Sequence, residues 1–307
     1  MQGSFFMKKN FALWFIACIV FQLFIVGGVL YAQEETSIDI SFYASTLGEM
    51  QINFIPQWEF PFLRGKTPLT ENNNIALKLD ASLSPIFAGL TGDAVLTVAP
   101  FLSFTLGAKI GTGWNYDIFG KIFLVGLGLN QKTTADDPND GVIGKGLDGV
   151  VWDVHKGTTV QFDLAAFVPG DWNHIVMQIY SEIQFFAYTN AHGDDLWYYL
   201  MDDGMNQNAF RYYFTGFIGY EMPIFLDLVG IQLSETLPFY NTEIGKRVRD
   251  IGYSLSTAFI ANFKINDRLS IMTIARISNV LKKPITSAYE REWGFDCAQF
   301  IATWHIK

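Results

Sequence analysis

Asp153-Val154-His155 is the stretch of this sequence with the clearest capacity for chemistry. In an extended strand, residues two apart share a face, which would set the Asp153 carboxylate beside the His155 imidazole. A carboxylate so placed can orient the ring and raise its basicity, as water activation requires. Little else in the chain completes such a site. His174, His192 and His305 are scattered, without a spacing such as His-x-x-x-His that would hold a metal ion. There is no phosphate-binding glycine loop and no nucleophile elbow. Asp136-Asp137-Pro138-Asn139-Asp140-Gly141 does not fit the calcium-loop pattern and reads as a solvated acidic loop. The residues therefore point to no catalytic set, no metal site and no cofactor.

The elements that must carry Asp153 and His155 announce themselves by a two-residue period. In the 251–280 stretch, Ile251, Tyr253, Leu255, Thr257, Phe259, Ala261, Phe263 and Ile265 alternate with small and polar residues that include Asn262 and Lys264. After Asn266-Asp267-Arg268 the period resumes with Leu269, Ile271, Thr273, Ala275 and Ile277 on one face and Arg276 on the other. Two strands joined by a polar turn make a hairpin. Each is longer than the usual soluble strand, and the apolar face carries no charge. Strands that cross a membrane in a barrel look like this, with lipid outside and a mixed polar lumen inside. The same alternation runs through 102–111, 150–168, 175–185 and 210–220.

Composition supports that class. The chain has 307 residues, 16% of them aromatic, yet after the first 32 residues no segment is apolar throughout. Within those 32, Met7-Lys8-Lys9-Asn10 precedes an apolar run from Phe11 to Leu30, with Leu30-Tyr31-Ala32 as a cleavage point. This reads as a signal peptide over 1–32, followed by one barrel domain over 33–307. Its removal leaves 19 basic against 30 acidic residues, a net charge of −11, which disfavours a nucleic acid partner. Only Cys297 would remain, so no internal disulfide is available.

The connections sort by length. Those near Pro100, 169–173, Met222-Pro223 and 266–268 are short, whereas 62–73, 131–148, 190–208, 242–250 and 281–290 are longer. Outer-membrane barrels keep short turns on the periplasmic side and longer loops outside, which puts both termini in the periplasm. The expected fold is all-β, an antiparallel transmembrane barrel of about ten strands, or twelve if 117–130 also crosses and returns. Ten requires that 74–99 and 149–168 each form one strand. A bulge is expected near Val229, where the parity slips.

With Gly111-Thr112-Gly113-Trp114, Pro169-Gly170-Asp171-Trp172-Asn173-His174 and the terminal alternation of Phe300, Ala302, Trp304 and Ile306, the chain resembles uncharacterised outer-membrane barrel proteins of spirochaetes. The resemblance implies a barrel in the bacterial outer membrane, partnered by the lipid bilayer and the outer-membrane assembly machinery, and brings no catalytic residues. An omptin-like protease would need an Asp-x-Asp pair beside Asp-x-His, and no Asp-x-Asp is present; an outer-membrane phospholipase would need a His-x-Ser-Asn-Gly stretch, also absent.

Strand parity places Asp153, His155, Asp163, Glu182, Arg211, Tyr213, Lys264 and Arg276 in the lumen. Charges of both signs at close quarters would pair, and a barrel of this size lies between one filled by its own side chains and one with a water-filled bore. The leading expectation is a non-enzymatic, narrow passive channel for small solutes. A closed barrel whose acidic and aromatic outer loops bind a surface ligand, or that is purely structural, is the second reading. A surface hydrolase using Asp153 and His155 is the third.

Overall fold

The computed structural model describes residues 35–118, 122–130, 142–143, 147–200, 202, 204–240, 253–281 and 291–306. The expected signal peptide, the basic loop at 243–249 and the loop at 282–290 lie outside the described residues, as does most of the acidic loop at 131–148.

Twelve strands form a closed antiparallel barrel. In chain order they are β1 (Glu35–Ser45), β2 (Met50–Pro61), β3 (Asn74–Ser84), β4 (Phe87–Ala99), β5 (Leu102–Gly113), β10 (Val151–Asp163), β11 (His174–Tyr188), β13 (Ala209–Glu221), β14 (Leu226–Pro238), β15 (Ser254–Asn266), β16 (Leu269–Leu281) and β17 (Arg291–Ile306). Each pairs with its neighbours in sequence, and β1 closes on β17 with Ile38 opposite Ile306. Closure leaves no free strand edge in the wall. A chain in hydrocarbon needs this, because lipid offers no hydrogen bonds.

The count is the higher of the two expected, but not through 117–130. The stretches 36–61 and 74–99 each divide into two strands, turning at 46–49 and at Pro85-Ile86. Proline closes the second turn because it cannot donate to a ladder. The segment expected to be one strand at 149–168 ends at Asp163, whose carboxylate accepts from the Ala165 amide and starts a short 3-10 turn, Leu164–Ala166. The bulge expected near Val229 occurs slightly earlier, between Leu226 and Leu228.

Tracing the connections corrects one assignment. The 62–73 connection emerges at the same end as 100–101, 164–173, 222–225 and 267–268, the end where β1 begins and β17 finishes. This is called the inner end below, and the opposite one the outer end.

The outward face is apolar from strand to strand. Ile40, Phe42, Leu90, Phe104, Leu106, Ile179, Ile183, Ile231, Phe259 and Phe300 are all exposed on it, as a lipid-facing surface should be. Trp58, Trp172, Tyr220 and Trp304 gather towards the inner end, and Trp114, Trp152 and Trp293 towards the outer end. Two aromatic belts of this kind mark the water boundaries of a membrane barrel.

Five short strands leave the wall. The 114–150 connection contains β6 (Asn115–Ile118), β7 (Ile122–Val125), β8 (Leu127–Asn130) and β9 (Val142–Ile143), and the 189–208 connection contains β12 (Trp197–Tyr199). β6 pairs with β7, while β8 lies between β12 and β9 in a small sheet.

Candidate functional site

The small sheet does not stand clear of the barrel. Leu127 on β8 and Trp197 on β12 are completely buried against Phe87, Val151, Phe186 and Tyr188, which are the inward residues at the outer ends of β4, β10 and β11. Trp197 lies 4.9 Å from the Phe186 ring and 5.7 Å from Tyr188, centre to centre. This is where the apolar core of the molecule sits: inside the outer mouth. Leu127, and Leu129 packed against the same cluster, lie between barrel wall and loop, so this part of the chain is apolar on both faces.

Polar contacts fasten the same plug. Lys109 on β5 donates a hydrogen bond to the Tyr199 hydroxyl and lies over the Tyr199 and Phe87 rings at 5.1 and 5.6 Å. Arg211 on β13 bonds Asn206 and stacks over Phe186 at 4.3 Å. Asn208 donates to the Tyr188 and Ala191 carbonyls. Arg211, expected in the lumen, thus faces inwards as part of the closure at the mouth.

Below the plug, strand parity brings Asp153 and His155 together as the sequence suggests. His155 Nδ1 is 2.7 Å from Asp153 Oδ1, and Nε2 is 2.9 Å from Asp93 Oδ1 across β5. All three side chains are largely buried. Both ring nitrogens face a carboxylate at hydrogen-bonding distance. With both so engaged, neither nitrogen is open to a water molecule, as general-base chemistry would require.

Gly107 makes this arrangement possible. It lies between Asp93 and His155 in the β4–β5–β10 register, and a Cβ there would fall 2.1 Å from Asp93 Oδ1 and 2.3 Å from His155 Nε2. Below it, Tyr180 crosses over Gly157 and hydrogen bonds Glu182, and its ring lies 6.3 Å from Tyr213. Asp153, His155, Glu182 and Tyr213 therefore belong to one continuous polar wall.

The remaining expected lumen residues lie elsewhere. Asp163 bonds His174 at 2.7 Å at the inner mouth. Lys264 is not part of a shared interior: at the inner rim, its ammonium lies 3.1 Å from Asp267, and both are largely exposed. Arg276 is on the far wall, paired with Asp296. Asp296 is the extra residue of a bulge between the Arg276–Cys297 and Ile277–Phe295 partners, which turns its carboxylate inwards.

Asp93 and Lys109 are the site residues that strand parity should have found. Lys109 already alternates with Leu106, Ala108 and Ile110; Asp93 becomes inward-facing only once β3 and β4 are divided at Pro85.

The far wall is less filled. A cavity of about 400 Å³ runs beside the plug at the outer end, bordered by Tyr43, Gln51 and Asn53 of the wall, Glu49 of the β1–β2 turn, and Leu124 and Leu200 beyond the wall. Deeper, a cavity of about 190 Å³ is lined by Tyr213, Gln232, Ser234, Ser256, Arg276 and Gln299. At the inner mouth, one of about 490 Å³ is bordered by Asp171, His174, Glu221 and Asp227. The three open spaces lie at successive depths of the barrel. Among the described residues no group of histidine, cysteine and acidic side chains is arranged to hold a metal ion.

No protein-family profile and no curated protein matches this chain. Among solved structures it is similar to a KdgM porin, at 8% identity and a TM-score of 0.41, over 88% of this chain and 98% of the other. A NanC porin aligns at 5% identity and a TM-score of 0.40, over 88% and 99%. An outer membrane channel from Pseudomonas putida F1 aligns at 11% identity and a TM-score of 0.37, over 89% and 94%. These are remote likenesses of barrel to barrel, and the functional reading rests on this chain's own residues.

Proposed function

We propose that this protein is a bacterial outer-membrane channel that passes small solutes along a narrow route on the β1–β2 and β13–β17 side of its lumen. The observation that carries the reading is the asymmetry of the interior. One wall is packed by the aromatic plug and the Asp93–His155–Asp153 cluster, while the other retains cavities at three depths, the middle one lined mainly by hydroxyls and amides and the two at the mouths by polar and apolar residues together. A barrel of about eight strands is filled by its own side chains and one of about sixteen holds an open channel; twelve strands with half the interior packed leave a narrow path.

The orientation belongs to the same proposal. Both described ends of the chain lie opposite the two longest connections, 114–150 and 189–208; in outer-membrane barrels the longer loops are extracellular, so in this reading the plugged mouth faces outwards. Two further observations favour a channel over the other readings. Trp197 and Tyr198, aromatic residues that a surface-binding loop would display, are buried within the mouth. His155 has both ring nitrogens engaged, which removes the base that a hydrolase would use.

Reconstitution of the folded, full-length protein in planar bilayers tests the proposal. Discrete conductance steps of small amplitude are expected. A heat-modifiable, correctly folded barrel that produces none would overturn it.

A further inference from the structure

Between the two aromatic belts, only two of the described outward-facing side chains are charged: Lys156 on β10 and Glu235 on β14. Lys156 sits among Leu106, Val154 and Ile183, all exposed on the membrane face. A lysine facing lipid this far from the strand end is costly, and neither it nor Glu235 forms an ion pair among the described residues. They cannot neutralise each other within one barrel. Three strand spacings separate β10 from β14, about 14 Å along the wall.

We propose that a second copy of this chain covers this face, in a two-fold dimer within the membrane whose axis passes between β11 and β13. Under that symmetry β10 of one copy faces β14 of the other. Each Lys156 then meets the partner's Glu235, and one contact surface satisfies both charges twice. Their depths agree. Lys156 lies five residues from the outer end of β10 at Val151, and Glu235 three residues from the outer end of β14 at Pro238. On tilted strands this is an offset of about 5 Å, which a lysine stem spans by reaching towards the boundary.

The surface between the charges suits close approach. Thr158, Ser181, Phe214 and Glu235 are paired in one continuous row across the four strands, and Ser181 hydrogen bonds the neighbouring Tyr212 hydroxyl. Gly216, one outward position along, leaves room beside Phe214. Small and hydroxyl residues at a membrane contact let two backbones approach and supply hydrogen bonds, which matter more there than apolarity shared with the lipid.

Sedimentation equilibrium of the full-length protein in detergent, with heat-modifiability to certify folding, tests the proposal. Wild-type protein should be dimeric. Lys156→Glu and Glu235→Lys should each weaken association at least tenfold, since each sets like charges against one another twice, and the double variant should regain the dimer. Monomeric wild-type protein would overturn the proposal and leave an anionic lipid phosphate as the partner of Lys156. Singly substituted proteins that remain dimeric, or a folded double variant as weak as the single ones, would overturn it equally.

Discussion

Lys109, on the inner face of β5, donates a hydrogen bond to the hydroxyl of Tyr199 on β12, ninety positions later in the chain. The barrel wall thereby holds the loop strand that fills its mouth. If the bond and the packing around it keep the outer mouth closed, weakening them should open it. Trp197→Ala removes the largest fully buried side chain of the plug and should cost the docked loop about 3–5 kcal/mol. Tyr199→Phe, which keeps the ring over the ammonium, should cost only about 1 kcal/mol. Single-channel conductance should therefore rise clearly in the first variant and little in the second. Equal conductance in wild type and Trp197→Ala, both folded, would show that the plug does not limit the path.

The buried Asp93–His155–Asp153 group is a stability element first. His155→Ala leaves two buried carboxylates facing one another and should lower barrel stability by about 3–5 kcal/mol. Asp93→Asn keeps a partner for Nε2 and should cost about 1–3 kcal/mol. Urea unfolding in detergent micelles gives the order directly. The reverse order would mean that the imidazole does not carry the charge shared between the acids.

What was legible in the sequence follows from period and parity. Phe104, Leu106 and Ile110 or Ile175, Met177 and Ile179 name the lipid face because lipid favours apolar side chains there, and Asp153 and His155 fall opposite by geometry alone. The turn at Pro85-Ile86 was not decisive, because two residues suffice to reverse an antiparallel pair and the outward parity changes across it, from Leu83 to Ala88, with no loop to mark the change. The plug was illegible for another reason. Leu127 and Trp197 lie seventy positions apart in very short strands of two separate connections, and only tertiary packing shows that both point into the lumen. Asp296 evaded parity because a bulge reorients it.

Gly107 should prove as necessary as the charges it separates. An added methyl at this position overlaps both Asp93 and His155, so Gly107→Ala should cost about 1–3 kcal/mol through forced displacement of the pair. The effect should be strongly coupled to its neighbour. In a His155→Ala background, where the ring is gone, Gly107→Ala should cost much less, and a double-mutant cycle in urea would measure the difference. Additive costs would mean that the glycine serves the backbone and not the ion cluster.

Arg276 and Asp296 offer a way to locate the solute path. They pair on the less filled wall, where Arg276 borders the deeper cavity. Arg276→Gln leaves Asp296 as an uncompensated negative charge beside that cavity. If ions pass there, the reversal potential in a KCl gradient should shift towards cation preference, and Arg276→Gln with Asp296→Asn together should restore the original value. Ionic strength supplies the control. Screening acts over about 10 Å at 0.1 M salt and about 3 Å at 1 M, so the shift should be clear in dilute solution and fade in concentrated salt. Ions travelling along the opposite wall would be separated from this charge by the packed interior. An unchanged reversal potential at 0.1 M would therefore place the path beside Asp93 and His155 instead.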